Sequence, residues 1–287
     1  MRRTTTLPKS EPSNPEVSPA EILRCRLGRK PKPQTDTLAK EEPLEIRVRG
    51  RNVAVTMRTP GRDAELAAGF LLTEGMIRRR GDVVSIAHCR QGEAANYHNT
   101  LNIFLAPSVH VDFAQLTRHV FASSSCGLCG KASIEAVHQH FAPVKSTLTV
   151  AAKTLTQLPD RLRAAQTSFA ATGGLHAAAI FDAKGKLVIL REDVGRHNAV
   201  DKVIGHGFLE NKLPFDQHIL LVSGRASFEI LQKALAARIP MVAAVSAPSS
   251  LAVDFARANG QTLVGFLRGP TMNVYSHPER IIAPAKK

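Results

Sequence analysis

His218-Ile219-Leu220-Leu221-Val222, Met241-Val242-Ala243-Ala244-Val245 and Thr262-Leu263-Val264-Gly265-Phe266 decide the fold. Each is a short, almost wholly apolar run. Between them, Phe228 to Ala237 and Ser249 to Ala258 carry apolar residues at helical spacing. Strands with no polar side are buried on both faces, and alternation with helices makes neighbouring strands parallel. The predicted fold is α/β, with a mainly parallel sheet covered on both faces. Upstream, the apolar runs Ala177 to Phe181 and Leu187 to Leu190 are joined by Asp182-Ala183-Lys184-Gly185-Lys186, which suits a hairpin.

Ligands of such sheets lie beyond the carboxyl ends of the strands. Ser223-Gly224-Arg225, Ser246-Ala247-Pro248-Ser249-Ser250 and Leu267-Arg268-Gly269 all fall there. Hydroxyls and backbone N–H groups before a helix can cradle a phosphate, with Arg225 as counter-charge. The plain alternative is that these serines only cap helices. Arg191 to Gly205 is dense in functional groups and can run as a helix from Arg196. His197 and Asp201 then share one face, Asn198 and Lys202 the next, and Val200, Val203 and Ile204 form a buried stripe. A His–Asp pair there is either functional or a structural hydrogen bond. Thr172-Gly173-Gly174-Leu175-His176, a glycine turn into a strand, brings a second histidine towards the same edge.

Three segments organise the chain: an arm over 1–41, a smaller α/β unit over 42–111, and the large unit over 112–287. The arm is interrupted by Pro8, Pro12, Pro15, Pro19, Pro31 and Pro33 and reads as flexible. In the smaller unit, Leu44 to Arg51 alternates apolar and charged residues and turns at Gly50-Arg51-Asn52 into Val53 to Met57 as a hairpin. Arg62 to Leu72 reads as a helix, and Val83 to Cys89 and Thr100 to Leu105 as strands.

Ser123-Ser124-Ser125-Cys126-Gly127-Leu128-Cys129-Gly130-Lys131 is the most reactive-looking stretch. It runs into Ala132 and then Ile134, Val137 and Phe141, the last three at the three- and four-residue spacing of a buried helix face. A cysteine before a helix feels unpaired N–H groups and the positive end of the dipole, and both favour the thiolate. The pair can be inert, can hold structural zinc, or can carry electrons or sulfur. Zinc needs four ligands, and the other cysteines, Cys25 and Cys89, stand alone and far away.

Composition narrows the class. The 287 residues, 44% hydrophobic, suffice for one large or two modest domains. Four cysteines are too few for a disulfide scaffold and fit a reducing compartment. Met1 to Pro15 has no signal-peptide core and no run could span a bilayer, so a cytoplasmic protein without a membrane partner is expected. The formal net charge is +14, from 38 Lys and Arg against 24 Asp and Glu. Only Arg78-Arg79-Arg80 reads as a tight basic cluster, and two tyrosines and no tryptophan offer little stacking surface. A large anionic ligand or an acidic protein partner is expected rather than nucleic acid.

The Cys126-Gly127-Leu128-Cys129-Gly130 loop, Thr172 to His176, Glu192-Asp193-Val194-Gly195-Arg196-His197-Asn198-Ala199-Val200-Asp201-Lys202 and Ser223-Gly224-Arg225 occur in this order, followed by Val264-Gly265-Phe266 and Tyr275-Ser276-His277-Pro278. Together they resemble the FdhD family of formate dehydrogenase accessory proteins, over roughly residues 42 to 282. The resemblance implies a sulfurtransferase. It would take sulfur from a cysteine desulfurase as a persulfide and pass it to the molybdenum cofactor, bis(molybdopterin guanine dinucleotide), before insertion into formate dehydrogenase. It also implies a cytidine-deaminase-like α/β/α carboxy-terminal domain and a homodimer. Zinc deaminases need His-x-Glu before Pro-Cys-x-x-Cys. Ser125 precedes Cys126, and the one His-x-Glu, His277-Pro278-Glu279, lies far downstream, so no bound metal is expected.

Cys126 is then assigned as the persulfide carrier and Cys129 as assisting, a dithiol redox protein being the rival. Cofactor contacts are expected from Phe266, Leu267, Arg268, Gly269, Pro270 and Thr271, with Phe266 stacking on guanine and Arg268 meeting a phosphate. Ser223, Gly224, Arg225, His176, His197, Asn198 and Lys202 complete the expected site.

Overall fold

The computed structural model describes residues 14–90, 98–111, 113 and 141–283. Strands β1 (Val17–Arg24) and β2 (Lys32–Ala39) form an antiparallel ribbon. This replaces the flexible arm expected over 17–39; residues 1–13 of that arm lie outside the described residues. A two-stranded ribbon has two free edges, where a proline that lacks an N–H is tolerated. Pro19 lies opposite Thr37 and Pro33 opposite Leu23.

Strands β3 (Glu42–Val48) and β4 (Arg51–Arg58) form the expected hairpin. Its turn is Arg49-Gly50, one residue earlier than read, with φ of 51° and 75°. Two positive φ values are what a tight hairpin turn needs to match the strand twist. Helix α1 (Asp63–Thr73), β5 (Val83–His88) and β6 (Thr100–Leu105) complete a four-stranded sheet in the order β4-β3-β6-β5.

The large sheet follows β7 (Val150–Ala151), α2 (Ala152–Ala165) and α3 (Thr167–Thr172). Its elements are β8 (His176–Asp182), β9 (Leu187–Asp193), α4 (Arg196–Leu209), β10 (His218–Val222), α5 (Phe228–Ala236), β11 (Met241–Ala244), α6 (Ser250–Ala258), β12 (Thr262–Arg268) and β13 (Thr271–Ser276). A short β14 (Ile281–Ile282) pairs with β7. The strand order is β13-β12-β11-β10-β8-β9. β10, β11 and β12 are parallel, as their helical crossovers require. The short turns 183–186 and 269–270 make antiparallel hairpins of the edges, and β8 also pairs antiparallel with β10, so parallel pairing is confined to the centre.

Alternation along the central strands supplies two cores. Ala178, Ile180, Leu220, Val222, Val242 and Ala244 face α4, α5 and α6. Ala177, Ala179, Phe181, Ile219, Leu221 and Ala243 face Leu155, Leu158 and Leu162 of α2. The first core continues without a break into the small sheet through α1 and Leu44, Ile46 and Leu101.

The join is a close crossing of α1 and α4. A Cβ on Gly69 would lie 1.9 Å from the Asp201 carbonyl oxygen, and one on Gly205 1.8 Å from that of Glu65. Polar groups fix the same crossing. Lys233 Nζ on α5 lies 2.8 Å from Asp201 Oδ2, and Thr73 Oγ1 donates to Asp201 Oδ1 at 3.0 Å. Arg191 Nη2 donates to Glu65 Oε1 at 2.8 Å.

Gly205→Ala forces the helices apart and should destabilise the protein by about 1–3 kcal/mol, read by thermal unfolding; an unchanged midpoint would show that the helices are free to separate. Burial pushes the Glu65 carboxyl up, but Arg191 and then His206 outweigh it and hold the pKa below its ordinary value. Its stabilising contribution is complete above the carboxylate range and is lost as pH falls through the depressed pKa. Glu65→Gln should therefore be less stable at neutral pH and show a flatter acid limb in unfolding free energy against pH.

Candidate functional site

β9, β10, β11 and β12 end, and β8 begins, at one edge of the large sheet. His176 lies directly opposite Asp193 there. Asp193 is fully buried and satisfied on both oxygens. Oδ1 accepts from Gly195 N at 2.8 Å and from Asn198 Nδ2 at 3.0 Å. Oδ2 accepts from Thr59 N at 3.2 Å and pairs with Lys202 Nζ at 2.7 Å. Lys202 also donates to the carbonyl oxygens of Thr59, at 2.9 Å, and Glu192. Asn198 donates to Met57 O at 2.7 Å and accepts from Thr56 Oγ1.

Asn198 and Lys202 therefore share Asp193 and hold the end of β4 against the large sheet, rather than facing outward as ligand contacts. His197 and Asp201 share a helix face but do not pair. Asp201 goes to Lys233, while His197 Nε2 lies 2.9 Å from Glu229 Oε2 and 3.3 Å from Ser227 Oγ. A carboxylate only accepts, so Nε2 carries a hydrogen.

The three strand-end loops are laced side by side. Ser246 N donates to Gly224 O, Phe266 N to Ser246 O and Ala226 N to Ala247 O, at 3.1–3.3 Å. Two of the serines serve structure: Ser223 Oγ accepts from Ala177 N at 2.9 Å, and Ser249 caps α6 by accepting from Ala252 N at 3.3 Å. Ser227 precedes α5 but makes no side-chain cap, its hydroxyl lying on His197 instead.

Between these loops and the start of α4, polar side chains gather at the sheet edge. A Cβ on Gly224 would be 3.4 Å from His176 Nδ1, an ordinary van der Waals separation, which places this loop directly over the imidazole. Arg225 is exposed beside it. Arg196 Nε is buried with no hydrogen-bond partner among the described residues. Burial, then the charges of Arg196 and His197, hold the His176 pKa below its ordinary value, against the opposing pull of Asp193. His176 is thus a neutral imidazole at pH 7, able to accept a proton.

At the outer end of the same edge, Phe266 has φ 49° and is 38% exposed. A bulge in β12 aligns it with Arg268, whose guanidinium carbon lies 5.9 Å from the ring centroid and whose Nε donates to Val245 O at 2.8 Å. Leu267 is wholly buried in the core, which leaves only its backbone for contact with a ligand. Gly269 turns with φ 50°, Pro270 is exposed, and Thr271 Oγ1 donates to Arg268 O at 3.1 Å.

Sequence reading did not select Arg196, Thr59 or Glu229. Arg196 stands in the dense segment quoted above, whereas Thr59 and Glu229 carry no sequence signal, being recruited from other elements. A cavity of about 360 Å³ beyond Thr59, lined by Lys40, Glu42, Arg58, Asp63, His88 and His98 among others, was also unread. Its Arg58 is buried and paired with Asp63, Nε to Oδ1 at 3.0 Å, and with Glu42. Cys126, Cys129 and the whole 123–131 loop lie outside the described residues. Among the described residues no three His, Cys, Asp or Glu side chains are grouped to hold a metal ion, and no helix is long and apolar enough to cross a membrane.

With this geometry in place, a family model described as FdhD/NarQ matches residues 39–282. The chain belongs to the FdhD/NarQ family. Family relatives include the sulfur carrier protein FdhD of Mycobacterium tuberculosis, 56% identical over 253 residues, spanning 86% of this chain and 92% of that one. That of Streptomyces coelicolor is 51% identical over 266 residues, spanning 91% and 94%. A crystal structure of a Desulfotalea psychrophila chain described as a formate dehydrogenase accessory protein superposes with a TM-score of 0.75. It is 24% identical and covers 93% of this chain and 100% of that one, a likeness of fold. The matched FdhD/NarQ region contains the four- and six-stranded sheets, the strand-end loops and the Cys126 loop.

The action of Arg196 on His176 is directly testable. In Arg196→Gln the His176 titration, followed by NMR, should move upward towards the ordinary histidine value, because a nearby positive charge has gone. A downward or absent movement would mean that Arg196 does not act on His176.

Proposed function

We propose that the chain is a sulfur carrier that serves formate dehydrogenase, with Cys126 as the residue that bears the sulfur. The observation that carries this reading is the family match over 39–282, with relatives more than half identical that are named sulfur carriers, together with the Cys126-Gly127-Leu128-Cys129 loop inside the matched region. The cargo is sulfur destined for the molybdenum cofactor in its bis(guanine dinucleotide) form, and the donor is a cysteine desulfurase.

The chemistry balances with this chain's own groups. The Cys126 thiolate attacks the outer sulfur of a persulfide on the donor, the donor thiolate leaves, and the S–S bond now stands on Cys126. The Cys129 thiolate then attacks the inner sulfur of the protonated persulfide. A Cys126–Cys129 disulfide forms and hydrosulfide leaves, so the two thiols supply both electrons that reduce the transferred sulfur. A dithiol reductant resets the pair.

The sheet edge suits the nucleotide ends of such a cargo. Phe266 offers a half-exposed ring, Arg268 a guanidinium beside it, and Gly269 a turn with no side chain in the way. His176 and Arg196 stand further along the same edge, a neutral acceptor next to a cation, which suits a phosphate-bearing ligand that also has donors. The net charge of +14 attracts a polyanion over a longer range.

Intact-protein mass spectrometry after incubation with a cysteine desulfurase and cysteine should record added sulfur on wild type and none on Cys126→Ala, whose formate dehydrogenase client should be inactive. Equal sulfur mass on the variant would refute the assignment, and a disulfide formed with neither added sulfur nor released hydrosulfide would favour dithiol redox chemistry. Arg268→Ala should weaken calorimetric GDP binding by about 1.5–3 kcal/mol, the worth of a charge-assisted hydrogen bond; unchanged affinity removes Arg268 from the site.

A further inference from the structure

The β1–β2 ribbon stands in front of the family-matched region, which begins at residue 39. Its base is tied down. Lys40 N donates to Glu16 O at 2.8 Å, Ser168 Oγ donates to the Glu16 carboxylate, and Glu192 Oε1 and Oε2 accept from the N–H groups of Phe169 and Ser168. The ribbon therefore starts beside Glu192 and Asp193, at the end of β9. From there it runs outward: each strand has eight residues, a reach of about 26 Å. Every residue from 23 to 35 is exposed.

That exposed end carries Arg24, Arg26, Arg29, Lys30 and Lys32 and no acidic residue. It is a second basic cluster, which the linear sequence hides because its members are interleaved with apolar residues and prolines and come together only when the ribbon pairs Arg24 with Lys32. At its tip Leu27 is fully exposed, and Leu23 is 60% exposed. Five cations around a bare leucine on this projecting ribbon have no partner of opposite sign in the same stretch.

We propose that this ribbon tip is a docking finger for a protein partner that presents carboxylates around an apolar recess. Charge complementarity demands an anionic surface, and Leu27 demands somewhere dry to go. Nucleic acid fits less well: residues 14–40 contain no aromatic side chain to stack on a base, and a phosphate backbone has no use for the leucines. An anionic bilayer fits less well for the same lack of aromatic anchors. The choice of partners to test rests on the sulfur-carrier reading, which names a donor enzyme and a client enzyme.

The test measures binding of the full chain to four purified probes: the cysteine desulfurase and the formate dehydrogenase of the same genome, a DNA duplex, and phosphatidylglycerol vesicles. The variant R24S/R26S/R29S/K30S/K32S changes only exposed side chains, and Leu27→Ser is the smaller second variant. Both variants should bind at least one of the two enzymes about tenfold or more weakly, with the wild-type affinity falling as salt rises. Unchanged affinity of both variants for both enzymes overturns the proposal, as does a loss confined to DNA or to vesicles. Sulfur mass on Cys126 is read separately. Absence of that mass would sink the sulfur-carrier reading while leaving a ribbon-dependent complex intact, so the two failures are distinguishable.

Discussion

The carboxylate of Asp193 and the ammonium of Lys202, 2.7 Å apart and both excluded from water, hold the two sheets in register. Each charge on its own would be a heavy burden in that position, and together they grip Thr59 from both sides. Asp193 accepts its N–H and Lys202 donates to its carbonyl oxygen, while Thr59 Oγ1 accepts from Val194 N at 3.1 Å. The end of β4 cannot move without stranding a buried charge, and removing one member of such a pair typically costs about 3–5 kcal/mol. The same carboxylate also accepts from Gly195 N and so closes the turn that leads into α4.

The functional edge inherits its geometry from that clamp. With α4 fixed at Gly195, Arg196 and His197 stand at the strand ends, and His197 meets Glu229 and Ser227 from α5 and its approach. The glycine crossing of α1 and α4 and the Lys233–Asp201 pair brace the far side. Polar groups with internal partners thus make the scaffold. The groups left with spare capacity, His176, Arg196, Phe266 and Arg268, gather along the strand ends, where ligands of open α/β sheets bind.

Much of this was legible beforehand, for reasons that also mark the limit. Apolar runs of strand length, helical spacing between them and a glycine-bearing turn between Ile180 and Ile189 are local signals, and the strands and helices follow from them. Partner choice is not local. His197 and Asp201 stand one turn apart as read, yet each found a stronger partner on another element, Glu229 and Lys233. Asn198 and Lys202 were read as ligand groups because polar residues on a helix invite it; their inward turn depends on Thr56, Met57 and Thr59, some 140 positions away in sequence. The ribbon was misread because prolines and charges resemble disorder when no core is visible nearby. Its stability comes from pairing and from a base anchored at Ser168 and Lys40.

Chemical denaturation of wild type, Asp193→Asn, Lys202→Met and the double variant measures the clamp most directly. If the pair holds the sheets together, each single change lowers the unfolding free energy by about 3–5 kcal/mol and the double change recovers a large part of that, because no buried charge is left unpaired. Single changes that are nearly neutral, or whose effects simply add in the double variant, would contradict it.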